Sequence, residues 1–442
     1  MPRSTVRLQS WLPVVLVVGL LLIQIFSPAR PIMFILVVLL ALLLVAYIWA
    51  RGLARGLSIT RKRRYGWAQV GDVIQERWVM HNDSWIPVLW AEVREYSNMI
   101  GYDASRAIGL GSQSSHQWTS RGVCKLRGIF TLGPLRVTTG DPFGFFRVEL
   151  VDEHTDTFVV YPAVSDLPQM VQPRGFAHGV GRHALRSLDV TTNAASIRNY
   201  APGDALKRIH WRTTARRSSP GQESLFVKEF DLEPTGDAWI VLDMDRDVHV
   251  GTGPESTQEY AVSLAASLAN QMLRANRAVG LATHNGGPVL IPPQKGHQQL
   301  WEMLQVLAGV YAVADISISD LLRMCIPAMS RNITVVVITP SVDGAWLHEL
   351  AALMAHGVHT SAVLLDAASF GGQDGARNMH GALADLGVEA HIVDSGFRFA
   401  PTAQKERQEP EYKVLGTGRV VVVNPKEDAE WVPVGVSEGD QT

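Results

Sequence analysis

The sequence has 442 residues, a formal net charge of −2 and an apolar fraction of 47%, which is enough to build more than one hydrophobic core. Near-zero charge, with no block of basic residues in the body of the chain, argues against a nucleic-acid-binding protein. The two cysteines, Cys124 and Cys325, have no CxxC neighbour, so neither a disulfide framework nor a zinc knuckle is indicated. We expect two soluble domains in a reducing cytoplasm.

Two apolar runs open the chain, at residues 11–26 and 31–50. A membrane-spanning helix needs about 20 such residues, because lipid offers no hydrogen bonds to the backbone. The second run has this length, and the first reaches it if the residues just before it lie at the interface. Only four residues separate the two runs. We therefore expect a transmembrane segment 1–56 in which helices at about 8–26 and 31–50 form a hairpin.

Flanking cations predict the orientation of this hairpin. Arg30 lies alone in the turn, whereas the two outer ends carry Arg3, Arg7, Arg51, Arg55, Arg61, Lys62, Arg63 and Arg64. Both ends are therefore expected on the cytoplasmic side of the inner or plasma membrane, where the cations gain from anionic lipid. The alternative is a cleaved signal peptide followed by one anchor, but no A-x-A-like site follows the first run.

Residues 57–165 show short β-type runs, as at 73–80 and 88–93, on either side of a predicted turn at 81–84. This spacing favours an all-β, sandwich-like domain. An Asp-Pro-Phe-Gly phrase at 141–144 predicts a chain reversal between strands, because Pro fixes φ and Gly accepts a positive φ. Core and sheet packing is the expected role of the five tryptophans in this region, Trp67, Trp78, Trp85, Trp90 and Trp118.

After a linker and signature segment at 166–236, strand and helix patterns alternate over residues 237–402. The strands are predicted at 237–243, 278–284, 333–339, 361–366 and 389–394, and the helices at 255–277, 297–310, 346–356 and 376–386. This alternation predicts an α/β domain with a doubly wound parallel sheet, whose ligands bind at the strand C-termini. In the polar tail at 403–442, residues 419–424 are expected to add an edge strand or to serve as a docking peptide.

Three acidic residues alternate just after the first of these strands: Asp243, Asp245 and Asp247. Their carboxylates can converge on one oxygen-preferring cation, and they repel one another if none is bound. Ca²⁺ or Mg²⁺ is the cofactor class this pattern indicates. The alternative is a solvated acidic turn that caps the following loop and helix.

The block IRNYAPGDALKRIHW at residues 197–211, followed by Ala215-Arg216 and by LFVKE at 225–229, closely resembles the signature of the bacterial domain-of-unknown-function 58 family. The phrases RGIFTLGP at 127–134 and DPFG at 141–144, and the twin N-terminal helices, are similar to that family too. The resemblance covers nearly the whole chain up to about residue 400.

The resemblance implies a membrane-anchored protein with a β domain and a von Willebrand factor A-like α/β domain. It further implies association with MoxR-type AAA+ ATPases, assistance in the assembly or maturation of client proteins, and no established enzymatic activity. A metal-binding von Willebrand A domain would resemble Asp-x-Ser-x-Ser after its first strand, whereas this chain keeps Asp243 and replaces both serines with Asp245 and Asp247. The usual later Asp is also missing from residues 337–341, so the expected ion site is altered or lost.

The signature block has three possible roles from its residue chemistry. Asp204 can cap a helix at 205–216 or pair with Arg208, which is structural. Alternatively, a cationic, aromatic-edged surface can hold an acidic segment of a protein partner. His210 as a general base is the third possibility, although no Ser or Cys has a nucleophile's sequence context. The residues assigned to partner binding are Arg198, Tyr200, Gly203, Asp204, Arg208, His210, Trp211 and Arg216.

An enzyme is the competing interpretation. The strand ending in Asp243 and Asp245 resembles the first motif of haloacid-dehalogenase-type phosphotransferases, where the first Asp attacks phosphorus and the second handles the proton. That family also needs a suitably placed Lys and a late acidic pair for Mg²⁺, and Asp394 is a poor match. No G-x-x-x-x-G-K-[ST] phosphate loop is present, so ATP hydrolysis would belong to another chain. The residues therefore favour a non-enzymatic adaptor over a phosphohydrolase.

Overall fold

The computed structural model describes residues 3–168, 194–200, 209–217, 225–230, 237–329, 333–401, 412–414, 420–422 and 432–434. Its N-terminal elements are strand β1 (Arg3–Leu8), helix α1 (Leu12–Phe26) and helix α2 (Arg30–Gly56). Within the described residues, α2 is the one helix long and apolar enough to cross a membrane, while α1 is a shorter apolar helix. The two helices contact each other across a three-residue connection.

Both N-terminal helices differ from their predicted bounds. The first begins at Leu12 rather than residue 8, because Arg3–Leu8 pairs with a distant strand of the β domain. The second continues to Gly56, where its last turns leave the apolar run and pack on that domain. Ala50, Leu53 and Ala54 of α2 belong to the domain's hydrophobic core. Helix and β domain therefore share one packed interior.

The β domain consists of two sheets around that core. The strands are β2 (Leu57–Arg63), β3 (Trp67–Gln69), β4 (Val73–Asn82), β5 (Val88–Ser97), β6 (Arg106–Leu110), β7 (Ser114–Val123), β8 (Gly128–Gly140), β9 (Phe146–Asp152) and β10 (Asp156–Tyr161). One sheet has the order β1-β9-β8-β10-β3, with β5 on β8 and β6 on β5, and the second contains β2-β4-β7. Burial alternates along β4, as its period-two pattern predicts.

Two expectations for this domain are corrected. The predicted turn at 81–84 begins later, because His81 and Asn82 still pair with Ser58 and Leu57 of β2. The tryptophans also divide into two groups. Trp78 and Trp118 are buried and stacked, whereas Trp85 is 71% exposed and Trp67 and Trp90 are 38% and 43% exposed. The core part of the expected role therefore applies to Trp78 and Trp118, while Trp67 and Trp90 lie on strands and are partly exposed. Tryptophan content alone does not say which face of a sheet is covered.

Shorter elements connect the β domain to the second domain: β11 (Ser165–Asp166), β12 (Ala194–Asn199), α3 (Trp211–Arg217) and β13 (Phe226–Phe230). The strands β12 and β13 form an antiparallel pair.

The second domain is a six-stranded sheet with helices. Its elements are β14 (Ala238–Leu242), α4 (Thr257–Arg274), β15 (Val279–His284), β16 (Pro288–Gln294), α5 (His297–Gly309), α6 (Ile318–Cys325), β17 (Thr334–Thr339), α7 (Ala345–Ala355), β18 (His359–Leu365), α8 (Arg377–Asp385) and β19 (Glu389–Val393). The strand order is β16-β15-β14-β17-β18-β19, with all neighbours parallel except β16 on β15. Every strand and helix predicted here is present, and β16 and α6 are additional.

The tail contributes β20 (Ala400–Pro401), β21 (Tyr412–Val414), β22 (Val420–Val422) and β23 (Val432–Val434). The predicted strand at 419–424 is present as β22, and its partner is β21. A different tail strand, β23, pairs with β2 at Arg61–Arg63 and extends the second sheet of the β domain.

A buried arginine joins the two domains. Arg127 is 2% exposed and precedes β8; its guanidinium donates to the carbonyl oxygens of Leu307 (2.9 Å) and Val310 (2.5 Å). It also pairs with Glu259 at the start of α4 and lies 5.4 Å from the Tyr311 ring centroid. Because these partners belong to α4 and to the end of α5, the β domain is fastened to the edge of the second domain that carries the candidate site.

Candidate functional site

The C-terminal ends of three adjacent parallel strands place the acidic cluster. β14 lies between β15 and β17 in the sheet, so residues 243–249, 283–284 and 339–341 emerge at the same edge. We call these three segments the strand-end face. The chain runs from β14 to a neighbour on one side and later to a neighbour on the other, which is where doubly wound sheets form a ligand crevice.

Asp243 lies at the bottom of this face with no exposed surface. One carboxylate oxygen accepts a hydrogen bond from the Asp245 backbone N–H (3.0 Å) and the other from the Thr339 hydroxyl (2.6 Å). Burial raises the pKa of Asp243 to about 7, against the opposing effect of these two hydrogen bonds. No cation is paired with it among the described residues. The carboxyl therefore exchanges its proton near neutral pH and holds β14 to β17.

Two histidines border Asp243. His249 Nε2 lies 2.9 Å from the Asp243 carbonyl oxygen, and its Nδ1 lies 3.0 Å from the Thr257 hydroxyl. Burial lowers the pKa of His249 to about 4, so this imidazole is neutral at pH 7. His284, at the end of β15, is fully buried; its Nε2 accepts the Met244 N–H at 3.2 Å. The proton of neutral His284 is therefore on Nδ1, which has no hydrogen-bond partner among the residues that the structure describes.

The acids predicted to bind an ion do not all gather at one point. Oxygen atoms of Asp245, Asp247 and Asp315 lie within 4.8 Å of one another, and Asp243 is not part of this group. Asp315 lies near these acids because the backbone of Asp245 forms a parallel β-bridge with the preceding residue, Ala314. The guanidinium of Arg246 lies 3.1 Å from Asp315 and 3.8 Å from Asp247, so a cation of the protein already offsets part of the negative charge. Three carboxylates of this kind suit hard cations such as Ca²⁺ or Mg²⁺.

Sequence reasoning missed His249, His284 and Asp315. The two histidines follow predicted strands and lie near the acids in the sequence, so their positions offered a signal. Asp315 offered none, because it is 68 residues from Asp247 in the chain and only the tertiary fold brings them together.

The signature segment is described only in part. Arg198 lies on β12 opposite Val227 of β13, and Tyr200 donates its backbone N–H to Leu225 (2.8 Å). The predicted partner-binding residues Gly203, Asp204 and Arg208 lie outside the described residues, as do the proposed Asp204 cap and its ion pair.

His210 has a structural position at the start of α3. Its Nδ1 lies 2.7 Å from the Thr213 hydroxyl and 3.2 Å from the Thr213 backbone nitrogen, which is the geometry of a side chain that caps a helix. Thr214 accepts the Phe226 N–H at 3.1 Å and ties the helix to β13. Trp211, 66% exposed, and Arg216, also exposed, are then presented outward. These two side chains keep the chemistry expected of a partner-binding surface.

Comparison with known proteins finds one family whose description matches part of the chain. Residues 196–393 match the family described as "Protein of unknown function DUF58". The uncharacterized protein YeaD of Bacillus subtilis is 32% identical over 223 residues, which cover 50% of this chain and 53% of that protein. These matches support membership of the DUF58 family.

More distant relatives add no activity. An uncharacterized protein of Mycobacterium tuberculosis is 26% identical over 166 residues, covering 36% of this chain and 50% of that protein. The chain thus spans about half the length of these curated relatives. Among solved structures, the CARDB domain of a Pyrococcus furiosus protein matches 24% of this chain and 91% of its own length, with 18% identity and a TM-score of 0.18. Proximal thread matrix protein 1 from the mussel byssus matches 36% and 43%, with 12% identity and a TM-score of 0.25. Such low scores carry no argument about function.

Proposed function

We propose that this DUF58 protein is a membrane-anchored, non-enzymatic adaptor that binds protein partners through a degenerate von Willebrand A-like domain and assists a MoxR-type AAA+ ATPase in protein assembly or maturation. The observation that carries the proposal is the contrast within the strand-end face. Asp243, which would have to be reachable in an enzyme, is fully buried and hydrogen-bonded, whereas Asp247 and Asp315 on the rim are exposed. A surface built this way offers contacts to a partner rather than a nucleophile to a substrate.

The anchor consists of α1 and α2 as a hairpin in the inner or plasma membrane, with the soluble domains in the cytoplasm. The pairing of β1 with β9 supports it, because the chain before α1 and the domain after α2 share one sheet and must lie on the same side of a bilayer. The cationic residues at both outer ends of the hairpin favour the cytoplasmic side.

The proposed ion site still consists of acidic side chains, but one of its three residues differs from those that the sequence indicated. Asp245 and Asp247 stay in the site, and Asp315 joins them. Asp243 lies outside the site and accepts a hydrogen bond from the backbone N–H of Asp245. Isothermal titration of the full chain in detergent with Ca²⁺ and with Mg²⁺ tests this site. We expect binding that is lost in Asp247→Asn and kept in Glu302→Gln, an exposed acid on α5. Absence of binding of either ion at millimolar concentration would remove the ion from the proposal.

The phosphohydrolase alternative makes a different prediction from the adaptor. Nucleophilic attack requires an ionised Asp243 in contact with phosphorus, and burial raises the pKa of this carboxyl to about 7 and removes it from solvent. A Mg²⁺-dependent phosphatase activity of the purified full chain that disappears in Asp243→Asn would replace the adaptor with the enzyme.

Affinity capture from native membranes tests the adaptor itself. We expect a MoxR-type ATPase among the captured proteins, and its loss when Trp211→Ala or Arg216→Ala removes an exposed contact of the signature segment. Arg377→Ala, an exposed arginine on α8, is the matched control. If neither signature variant changes the captured set while the control behaves as wild type, the signature surface does not bind the partner.

A further inference from the structure

The turn between β8 and β9, residues 141–146, lies beside the apolar helices and not only at the end of a sheet. The backbone N–H of Gln9, just before α1, donates to the carbonyl oxygen of Phe145 at 2.7 Å. On the other side, the rings of Tyr47 and Phe146 meet edge to face with centroids 5.7 Å apart. Tyr47 is a residue of α2 that lies one turn before Arg51, inside the apolar run. The turn therefore reaches the level at which the apolar part of α2 ends.

The turn is held in a fixed shape with aromatic rings at its tip. Asp141 is 2% exposed; its carboxylate accepts the backbone N–H groups of Phe143 (2.8 Å) and Phe146, and Gly144 has a φ of 73°. Phe143 is 46% exposed and stacks on Phe145 at 5.9 Å between ring centroids. An acidic side chain thus organises the backbone from inside, while the Phe143 ring is exposed and the Phe145 ring stacked on it is half-buried.

Two exposed tryptophans lie near the outer ends of α1 and α2. Trp85 is 71% exposed in the connection between β4 and β5, and Asp83 of that connection donates its N–H to the Gly56 carbonyl oxygen at 2.8 Å. Trp11, 69% exposed, immediately precedes α1. Trp and Tyr side chains concentrate at the two interfaces of membrane proteins, because their apolar rings and polar edges suit the headgroup boundary.

Charge at this end points to an anionic surface. Arg7 of β1 and Arg147 of β9 are directly opposite in the pairing register, and both are exposed. Like charges in such a pair destabilise a sheet. Phosphates of anionic lipid would offset this repulsion and would attract the exposed Arg51 and Arg55 of α2 as well. A cationic, aromatic rim around an apolar tip is the combination that a bilayer surface binds.

We propose that residues 141–146 form a membrane-inserting wedge, whose Phe143 and Phe145 rings enter the headgroup–acyl boundary of an anionic bilayer and fix the β domain against it. The proposal rests on the membrane anchor proposed above and adds a second, independent contact with lipid. A lipid surface is the occupant because Tyr47, which contacts the turn, belongs to the apolar run itself. With the core of the β domain continuous with α2, the wedge prevents the soluble domains from swinging about the helix end.

Site-specific spin labelling measures the depth of the wedge. The native cysteines Cys124 and Cys325 are fully buried, so an introduced surface cysteine is labelled selectively. The full chain carrying Phe143→Cys is labelled with a nitroxide in nanodiscs of phosphatidylethanolamine and phosphatidylglycerol. Ile100→Cys is the matched control, because Ile100 is 61% exposed and follows the end of β5 that lies away from the turn. At that end Ser97 pairs with Leu132, whereas Ala91, nearer the start of β5, pairs with Thr139 beside the turn.

We expect the label at residue 143 to collide with oxygen and to be shielded from a water-soluble nickel chelate, while the label at residue 100 shows the reverse. If both labels are equally accessible to the chelate, the wedge is wrong. Retention of the same protein in membranes washed with alkaline carbonate separates the two proposals. A chain that stays in the membrane but exposes residue 143 overturns the wedge alone, and a chain that washes off overturns the anchor.

Nanodiscs contain lipid, the scaffold protein of the disc and this chain, but no cellular partner, so a protein partner as the occupant gives its own result. In that case residue 143 is open to the chelate in nanodiscs and becomes shielded in native membranes, which contradicts the lipid wedge. Folding of the labelled variant is checked by its thermal unfolding midpoint, which we expect to match that of the Ile100→Cys protein, because both positions are exposed.

Discussion

Inside the β domain, Glu76 is fully buried and accepts hydrogen bonds from Arg61 (2.8 Å), Arg63 (3.0 Å) and Tyr102, whereas in the second domain Asp243 is equally buried with only a hydroxyl and a backbone N–H as donors. The difference teaches how each acid behaves. Paired with two arginines, Glu76 is a structural charge whose removal leaves buried cations with less counter-charge. Asp243 has no such cation in the described part of the chain, and burial raises its pKa to about 7, so its charge changes within the physiological range.

The paired network extends further into the β domain. Arg63 also reaches Asp156 at 3.0 Å, and Arg61 lies 2.8 Å from Glu95. Burial raises the pKa of Glu95 to about 7, even though Arg61 favours its ionised form. The network lies beside β23, because β2 pairs with that tail strand at the same residues that carry the arginines.

The largest expected effect is that of breaking the paired network. Glu76→Gln leaves Arg61 and Arg63 with less counter-charge in a buried site, so the free energy of unfolding of the β domain should fall by about 3–5 kcal/mol. Denaturant unfolding of the full chain in detergent measures it. Glu92→Gln, in an exposed pair with Arg94, is the control and should change stability by less than about 0.5 kcal/mol. Equal effects of the two substitutions would refute a structural role for the network.

The second largest effect is expected when the contacts of Arg127 between the two domains are removed. Arg127→Met keeps the apolar part of the side chain but removes the hydrogen-bond donors to Leu307 and Val310 and the ion-pair partner of Glu259. We expect the free energy of unfolding to fall by about 2–3 kcal/mol. In scanning calorimetry we expect one coupled unfolding transition for the wild type and two separate transitions for Arg127→Met. Arg136→Met, at an exposed arginine on β8, should leave the trace unchanged. A single unshifted transition in Arg127→Met would mean that the domains are held together elsewhere.

The contrasting behaviour of Asp243 predicts a pH effect. Its pKa is raised in the folded protein, so between about pH 4 and pH 7 the native state holds a proton that the unfolded chain has released, and stability falls as the pH rises. In Asp243→Asn this contribution, at most about 1.4 kcal/mol per pH unit, should be absent. The contributions of Glu95 and of His249, which has the opposite sign, remain in both proteins, so the difference between their stability–pH curves is the quantity to measure.

That difference should be flat below about pH 4 and should grow in favour of the variant up to about pH 7. Parallel curves for the two proteins over the whole range would show that Asp243 ionises as freely in the folded protein as in the unfolded chain.

The smallest effect is expected on the exposed rim. Asp315→Asn removes one carboxylate from a group whose negative charge is already partly offset by Arg246. Without added divalent ions, it should change the free energy of unfolding by less than about 0.5 kcal/mol. Thermal unfolding in the presence of a chelator measures it. A loss of several kcal/mol would mean that the rim is a structural element like the Glu76 network rather than a binding surface.

Local pattern was sufficient for much of the fold. The alternation of strands and helices in the second domain and the Asp-Pro-Phe-Gly reversal at 141–144 are present in the structure, because they depend on neighbours in the sequence. The strand β1 was missed, since its residues pair with β9, more than 130 residues away. The edge strand β16 was missed as well, because it contains Pro292 and Pro293, which a sheet tolerates only at an edge.

By itself the sequence determined the apolar helices, the element types and the position of Asp243, Asp245 and Asp247 at a strand end, because periodicity and hydropathy are local properties. Only the tertiary structure decided which of these acids is buried, that Asp315 joins the other two, and that Phe146 lies beside Tyr47 of α2. Burial and proximity between distant segments depend on how sheets and helices pack, and that packing sets the pKa of Asp243 and the contacts open to a membrane or a partner.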